Sequence, residues 1–336
     1  GNNTIDGGDG EDYLSYTNNS VGINVDNSAG IVTDISGTRS DTIVNIENFE
    51  GSDFDDILFG KDTDNTVSFE LNAANGDFRN YEQFKGGKGS DNIDGKGGYD
   101  ELSYTSSPVG LTIDLANSYQ EDGFGTIDTI ANIEGVEGTK YDDIIYGTDG
   151  DNSLDGRKGN NIIDGREGFD YIEYNGENRH NVLVDLSDGS SSYTYGVNGE
   201  TYQDTLLNIE GVIGSNNDDT ITGNEISNSL YGKFGNDVLK GGTGNDYLLG
   251  GSGDDVIFGN DLETTTSVAE GFFTVYAQND YLSNNYIYGQ GELSSNEFDF
   301  NNSLSGNFGT VSTLSNGNII SASWTIDGDL VTQIYH

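Results

Sequence analysis

The chain has 336 residues, of which 32% are hydrophobic and 50 are glycine, with no cysteine and a single proline; 13 Lys and Arg face 58 Asp and Glu, a formal charge of −45 at pH 7. One large apolar core, a disulfide framework and a thiolate metal site are thereby excluded, and no apolar run is long enough to span a bilayer. Nucleic acid and anionic membrane surfaces are excluded as partners, because both require a basic patch.

A chain this polar is ordinarily disordered. Against that stand its 20 Tyr, its 15 Phe and a regular spacing of glycine. Folding it crowds carboxylates together, and something cationic must offset their repulsion. No signal peptide is read at the N-terminus, methionine is absent and Gly1 falls inside a repeat, the marks expected of a fragment or a processed product.

In chain order, the first repeat block covers 1–15 and contains GGDGEDYLS at 7–15. LSYTNNSVGINVDN at 14–27 breaks the period, and DTIVNIENFEG follows at 41. Block 51–68 holds GSDFDDILF and GKDTDNTVS, FRNYEQF at 78–84 is a shortened copy of the DTIVNIENFEG motif, and block 86–103 holds GGKGSDNID and GKGGYDELS. LSYTSSPVGLTIDL at 102–115 and DTIANIEGVEG at 128 restate the first insert; block 138–173 follows, then NVLVDL at 181–186 and DTLLNIEGVIG at 204. The last block, 214–258, reads GSNNDDTIT, GNEISNSLY, GKFGNDVLK, GGTGNDYLL, GGSGDDVIF.

The eighth position of every unit is aliphatic, for example Leu58, Val67, Ile93, Ile163, Leu239 and Ile257. The sixth is always Asp or Asn: Asp12, Asp56, Asn65, Asp91, Asp100, Asp143, Asn152, Asn161, Asp170, Asp219, Asn228, Asp237, Asp246 and Asp255. A glycine-rich turn followed by a three-residue strand, with its aliphatic side chain inward, makes half a coil, and stacked coils pair at about 4.8 Å. A single coil cannot bury its own apolar face, so stability comes from stacking. The expected fold is all-β, a solenoid over 1–259.

The inserts read as degenerate coils of the same solenoid, since Phe49, Phe84, Val136 and Val212 each lie nine residues before the next inward aliphatic residue. Extended backwards, this register puts Glu47, Glu82, Glu134 and Glu210 at the sixth position, eighteen residues before Asn65, Asp100, Asn152 and Asn228. These Glu are expected to share a cation with those partners, Glu134 with Asn152 and Glu210 with Asn228 above all, if turns two repeats apart hold one ion between them.

Over 260–336 the glycine period stops. EGFFTVYAQN, NYIYGQGEL and SASWTIDGDLVTQIY alternate apolar and polar residues and are expected to form antiparallel strands, with a hairpin at Asp327-Gly328. Capping of the open solenoid edge, a small β domain and a secretion signal are the roles open to this segment.

Carbonyl-rich turns bearing one Asp suit calcium, a hard ion that takes six to eight oxygens, better than zinc. The units follow the nonapeptide G-G-x-G-x-D-x-U-x, and over residues 1 to about 259 the chain resembles the RTX parallel β-roll family of secreted bacterial proteins. The resemblance implies calcium between turns of neighbouring coils on one edge. Ligands then lie two repeats apart: Asp219 with Asp237, Asp237 with Asp255, Asn228 with Asp246, Asp143 with Asn161, and Asn152 with Asp170. It also implies type I secretion from Gram-negative cells and folding on meeting extracellular calcium. The chain departs from the pattern at Asn65, Asn152, Asn161 and Asn228, which weaken the charge, and in the many units without a second glycine.

Adjacent acids such as Asp142-Asp143 and Asp254-Asp255 could suggest a glycosidase pair, but they recur at fixed repeat positions and no site converges. With only His180 and His336, no histidine-based zinc protease site can be assembled, and no G-x-S-x-G elbow is present. Tyr13, Tyr146, Tyr171, Tyr231 and Tyr247 are expected on the outer sheet surface rather than in a sugar site. One GTGND is no ice-binding array. The expected role is a non-catalytic, calcium-stapled structural module of a secreted cell-surface protein, a surface layer or an adhesin, whose partners are calcium, copies of itself or cell-surface polysaccharide. The alternative is the folding and secretion module of an extracellular enzyme such as an alginate epimerase, protease or lipase.

Overall fold

The structure, a computed structural model, describes residues 2–61, 81–176, 178–196 and 199–259, and the backbone of strands Phe273–Tyr276, Tyr286–Tyr288, Phe308–Thr313, Ile319–Ile326 and Asp329–Ile334. Asn65, Val67 and the Asp327-Gly328 turn lie outside the described residues. Every described regular element is a strand.

Most repeats contribute a three-residue strand whose middle residue points inward, as in Ile57–Phe59, Ile144–Tyr146 and Val256–Phe258. One side of the solenoid is an unbroken sheet of eleven strands, from Tyr13–Ser15 to Phe273–Tyr276. All of its pairings are parallel, and Leu14, Phe49, Phe84, Leu102, Val136, Leu154, Ile172, Val212, Leu230 and Leu248 stand in register along its inner face. Facing it are an eight-stranded and a ten-stranded sheet, which carry inward residues such as Leu58, Ile93, Ile145, Ile163, Ile221 and Leu239, all fully buried. The core is thus a narrow apolar column between two walls. Phe49 and Phe84 stack within it with ring centroids 6.1 Å apart.

The inserts are only half coils of the expected kind. Their long-sheet halves keep the register, but their facing halves widen into three-stranded meanders. The first is Ile23–Asp26, Ile31–Asp34 and Ser40–Val44; the third is Arg179–Asp185, Ser190–Tyr195 and Glu200–Leu207. In each the middle strand is antiparallel to both neighbours, while the outer strands pair in parallel with adjacent coils. Each meander enters beside the later coil and leaves beside the earlier one: Val25 lies opposite Leu58, and Ile43 opposite Ile5.

In the second meander the ladder between Thr112–Asp114 and Tyr119–Glu121 is missing, which splits the facing wall in two. The buried Gln120 bridges the gap, accepting from the Asp114 N–H at 3.0 Å and donating to the Asp114 carbonyl at 2.6 Å, as a peptide would. The chain returns to the long sheet through Asn45, Asn132 and Asn208, which take φ of 54°, 52° and 51°. Asn tolerates this left-handed conformation better than other residues bearing a Cβ. Each of the three side chains donates to the Asp that ends a neighbouring strand, Asp6, Asp94 or Asp164.

Two expectations are corrected. Phe273–Tyr276 and Tyr286–Tyr288 are not antiparallel; they add one parallel rung to each wall, opposite Leu248 and Ile257. The parallel hydrogen bonding of the last coil therefore continues past 259. Phe308–Thr313, Ile319–Ile326 and Asp329–Ile334 do form an antiparallel sheet, with Ile326 opposite Asp329. Among the outward tyrosines, Tyr13 is exposed, but Tyr171 and Tyr231 are buried, packed ring against ring with Phe169 and Tyr247.

Neighbouring isoleucines test the packing. Ile163 is fully buried and Ile162 is 42% exposed on the same strand. Truncating Ile163 to Ala should cost about 2 to 5 kcal/mol of unfolding free energy in calcium-saturated protein, and Ile162→Ala within about 0.5 kcal/mol. Denaturant titration of both variants checks this.

Candidate metal centres

The sixth-position side chain folds back over the first glycine of its own turn. A Cβ on Gly232 would lie 2.2 Å from Asp237 Oδ2 and 2.5 Å from the Gly250 carbonyl oxygen; Gly241 and Gly250 stand in the same relation to Asp246 and Asp255. That glycine is required by close approach, because it keeps the carboxylate next to the carbonyl of the following coil.

The sixth-position groups form two columns, one along each edge of the solenoid. In most rungs the backbone N–H of one residue donates to the side chain of the next coil: Asp219 to Asp237 at 2.9 Å, Asp237 to Asp255 at 2.9 Å, and Asn228 to Asp246 at 3.0 Å. Asp143 donates likewise to Asn161 at 3.0 Å, and Asn152 to Asp170 at 2.8 Å. All five expected pairs are therefore adjacent. The column on the facing edge continues from Asp56 to Asp91 and Asp128, and from Asn161 to Asp204.

Asp41, Asp128 and Asp204 were missed in the sequence. Each begins a D-T-I or D-T-L triplet two residues before an inward Ile43, Ile130 or Leu206, so the spacing of sixth to eighth position was there to be read. Tyr16 and Tyr174 donate to Asp41 and Asp204 at 3.3 and 3.0 Å. In the coils that open the meanders an apolar residue takes the rung: Ile23, Leu111 and Val182 offer only their N–H, to Asp56, Asp143 and Asp219.

The hydrogen bonds of Glu and Asn differ from a side-by-side pair of carboxylate and amide. The carboxylates of Glu47, Glu134 and Glu210 turn back to the preceding coil and accept the N–H of Asp12, Asp100 and Asp170 at 3.1, 3.1 and 3.0 Å. Asn152 and Asn228 do lie in the next coil, but they donate Nδ2 to the Glu134 and Glu210 carbonyls. These three Glu reach backward, as the Asp side chains of the rungs above do. After Glu47, Asn48 pairs with Gln83 and Glu82 takes the following rung, while the expected partner Asn65 lies outside the described residues. Glu82 itself accepts the Lys61 N–H at 2.6 Å and Asn27 Nδ2.

Six of the Asp groups carry buried oxygens with no hydrogen-bond partner: Oδ2 of Asp12, Asp91, Asp170, Asp237 and Asp246, and both oxygens of Asp100. Such atoms are costly to bury unless something fills the gap. Burial first, and then the charge of a neighbouring carboxylate, raises the carboxyls of Asp91 and Asp170 to about 8 and those of Asp100 and Asp237 to about 9. Burial alone raises Asp246 to about 6. Open carboxylate oxygens beside backbone carbonyls are a donor set for a hard cation. Among the described residues no three His, Cys, Asp or Glu side chains form a metal cage, so a cation here draws on carbonyls and water as well.

Residues 1–18, 83–102, 137–172, 213–239 and 231–261 each match the family described as RTX calcium-binding nonapeptide repeat (4 copies). The chain carries RTX repeats, and calcium is their ion. Comparison with curated proteins gives no significant match. Bound at these turns, calcium supplies the positive charge that lets stacked carboxylates ionise together.

Two outcomes follow. Without calcium, the raised carboxyls stabilise the fold only while protonated. Their contribution is complete below the ordinary carboxylate range and is lost as pH rises through about 6 to 9. Circular dichroism in excess EGTA should therefore show most β signal near the acid end of that range and coil above it, whereas millimolar calcium should keep the β signal at neutral pH. Calcium binding at pH 7 should also release protons, which calorimetry in two buffers of different ionisation enthalpy will count.

Proposed function

We propose that this chain is a calcium-stapled structural module of a secreted bacterial cell-surface protein, a surface-layer subunit or an adhesin, and that it is not itself catalytic. The observation that carries this reading is the unbroken long sheet: eleven parallel strands run along the described solenoid, while the three described meanders are confined to the facing wall. A load along the axis is thus borne by one continuous hydrogen-bonded face, flanked on both edges by carboxylate columns that calcium can staple. Extracellular calcium modules commonly bind at about 10⁻⁴ to 10⁻³ M, so the chain stays expanded by its own charge before export and condenses outside. Copies of the same chain and cell-surface polysaccharide are the partners this role calls for.

Millimolar calcium added to purified protein should produce ordered sheets or filaments, visible by negative-stain electron microscopy and absent with EGTA. Calcium-loaded protein that stays a dispersed monomer, and that restores the folding or export of an extracellular enzyme when fused to it, would instead assign the module to such an enzyme.

A further inference from the structure

Two kinds of turn present the sixth-position Asp, and they differ at the second residue. In GSDFDD, GTKYDD and GSNNDD that residue is Ser or Thr. Its N–H donates to Oδ2 of the Asp: Ser52 to Asp56 at 2.6 Å, Thr139 to Asp143 at 2.7 Å, Ser215 to Asp219 at 2.6 Å. Its hydroxyl donates to Oδ1 at 2.9, 3.0 and 2.9 Å. With the N–H of the preceding coil also on Oδ1, both oxygens are occupied by donors.

In the other kind the second and fourth residues are left-handed. The φ values are 97° and 118° at Gly87 and Gly89, 71° and 131° at Lys96 and Gly98, 76° and 122° at Arg166 and Gly168, 79° and 120° at Lys233 and Gly235, and 92° and 113° at Gly242 and Gly244. The left-handed second residue swings its N–H out of the turn. Lys96 and Arg166 donate instead to Asp94 and Asp164, the last residues of the preceding strands, each at 3.1 Å. Lys233 lies in the ladder opposite Gly251. No donor remains for Oδ2 in the turns of Asp91, Asp100, Asp170, Asp237 and Asp246, whose buried oxygens stand open, nor in that of Asp12, left-handed at Gly8 and Gly10; the turns of Asn161 and Asp255 are left-handed in the same way at Arg157 and Gly159 and at Gly251 and Gly253.

We infer that the second residue of each repeat decides whether its turn takes calcium: Ser or Thr closes the turn on its own Asp and excludes the ion, whereas a left-handed Gly, Lys or Arg leaves a carboxylate oxygen for it. This rests on the calcium reading of the columns and narrows it to a subset of turns. N–H and O–H donors that occupy the carboxylate also present positive hydrogens where a cation would sit, so a closed turn is a poor calcium ligand. The placement agrees. Each Ser or Thr turn follows a rung filled by Ile23, Leu111 or Val182, where the preceding coil brings no carboxylate to share an ion. Among the described residues two Asn turns are closed as well, and the third, left-handed at Arg157 and Gly159, presents an amide in place of the carboxylate. Asn152 and Asn228 accept the N–H of Thr148 and Asn224 at 2.7 and 2.8 Å, and Asn161 Nδ2 donates to Asp204 at 2.9 Å, the amide standing where an ion would bridge.

Calcium stoichiometry of the full chain tests the inference, by equilibrium dialysis with metal analysis. Asp237→Asn should lose one bound ion relative to the parent, and Asp246→Asn on the other edge asks the same question should the first variant not fold. Asp219→Asn should keep the parental stoichiometry. The double change Ser215→Gly with Asn217→Gly, which rebuilds that turn in the left-handed pattern, should gain one ion. Loss of an ion in Asp219→Asn, or no gain in a folded double variant, overturns the assignment of turns. A parent chain that binds no calcium at all would instead sink the calcium reading beneath it.

Discussion

Everything in this molecule is arranged around the stacking of like charges at strand spacing. A coil repeat of about 4.8 Å brings sixth-position carboxylates closer together than ionised acids tolerate in a buried setting. The apolar column is one residue deep on each wall, and a core that thin cannot carry the repulsion alone. The rungs ease it in three ways: by an ion, by donors drawn from the turn itself, and by exchanging Asp for Asn. The described turns hold the second and third in a fixed arrangement and leave open carboxylate oxygens for the first, and the glycines serve that arrangement as much as they serve the turns.

Most of the solenoid was legible because its signal is periodic and redundant. An aliphatic residue at every eighth position, and Phe49, Phe84, Val136 and Val212 one period ahead of the clear blocks, give the inner face directly, and all four of those residues are buried. The meanders were less legible. Their strands keep the inward residue but change direction, and neighbour identity across a sheet is not written in the local period. Only the left-handed Asn at 45, 132 and 208 marks the point of return.

The site was legible as a set of positions and illegible as a set of partners. Eighteen-residue spacing holds only where two clear repeats are consecutive. Across an insert the next rung is 35 residues on from Asp12, 34 from Asp100 and 40 from Asp170, and it belongs to a Glu. The direction in which a side chain reaches, backward in rung after rung, is a property of the turn that counting residues does not supply. The same holds for the second residue of the repeat. Ser and Lys both read as the loss of a glycine, yet one keeps an ordinary φ and the other goes left-handed, with opposite effects on the same carboxylate.

The apolar rungs at Ile23, Leu111 and Val182 have a consequence for cooperativity. Along the facing edge they cut the acidic column into compartments that do not share charge, whereas Leu14 to Leu248 form one uninterrupted stack on the opposite wall. In a quasi-one-dimensional molecule, neighbour coupling sets how far order propagates. One wall therefore couples the whole length and the other couples only within a compartment. Ion loading on the facing edge becomes a series of separate local transitions, and a compartment that loses its ions is still held in line by the sheet across from it.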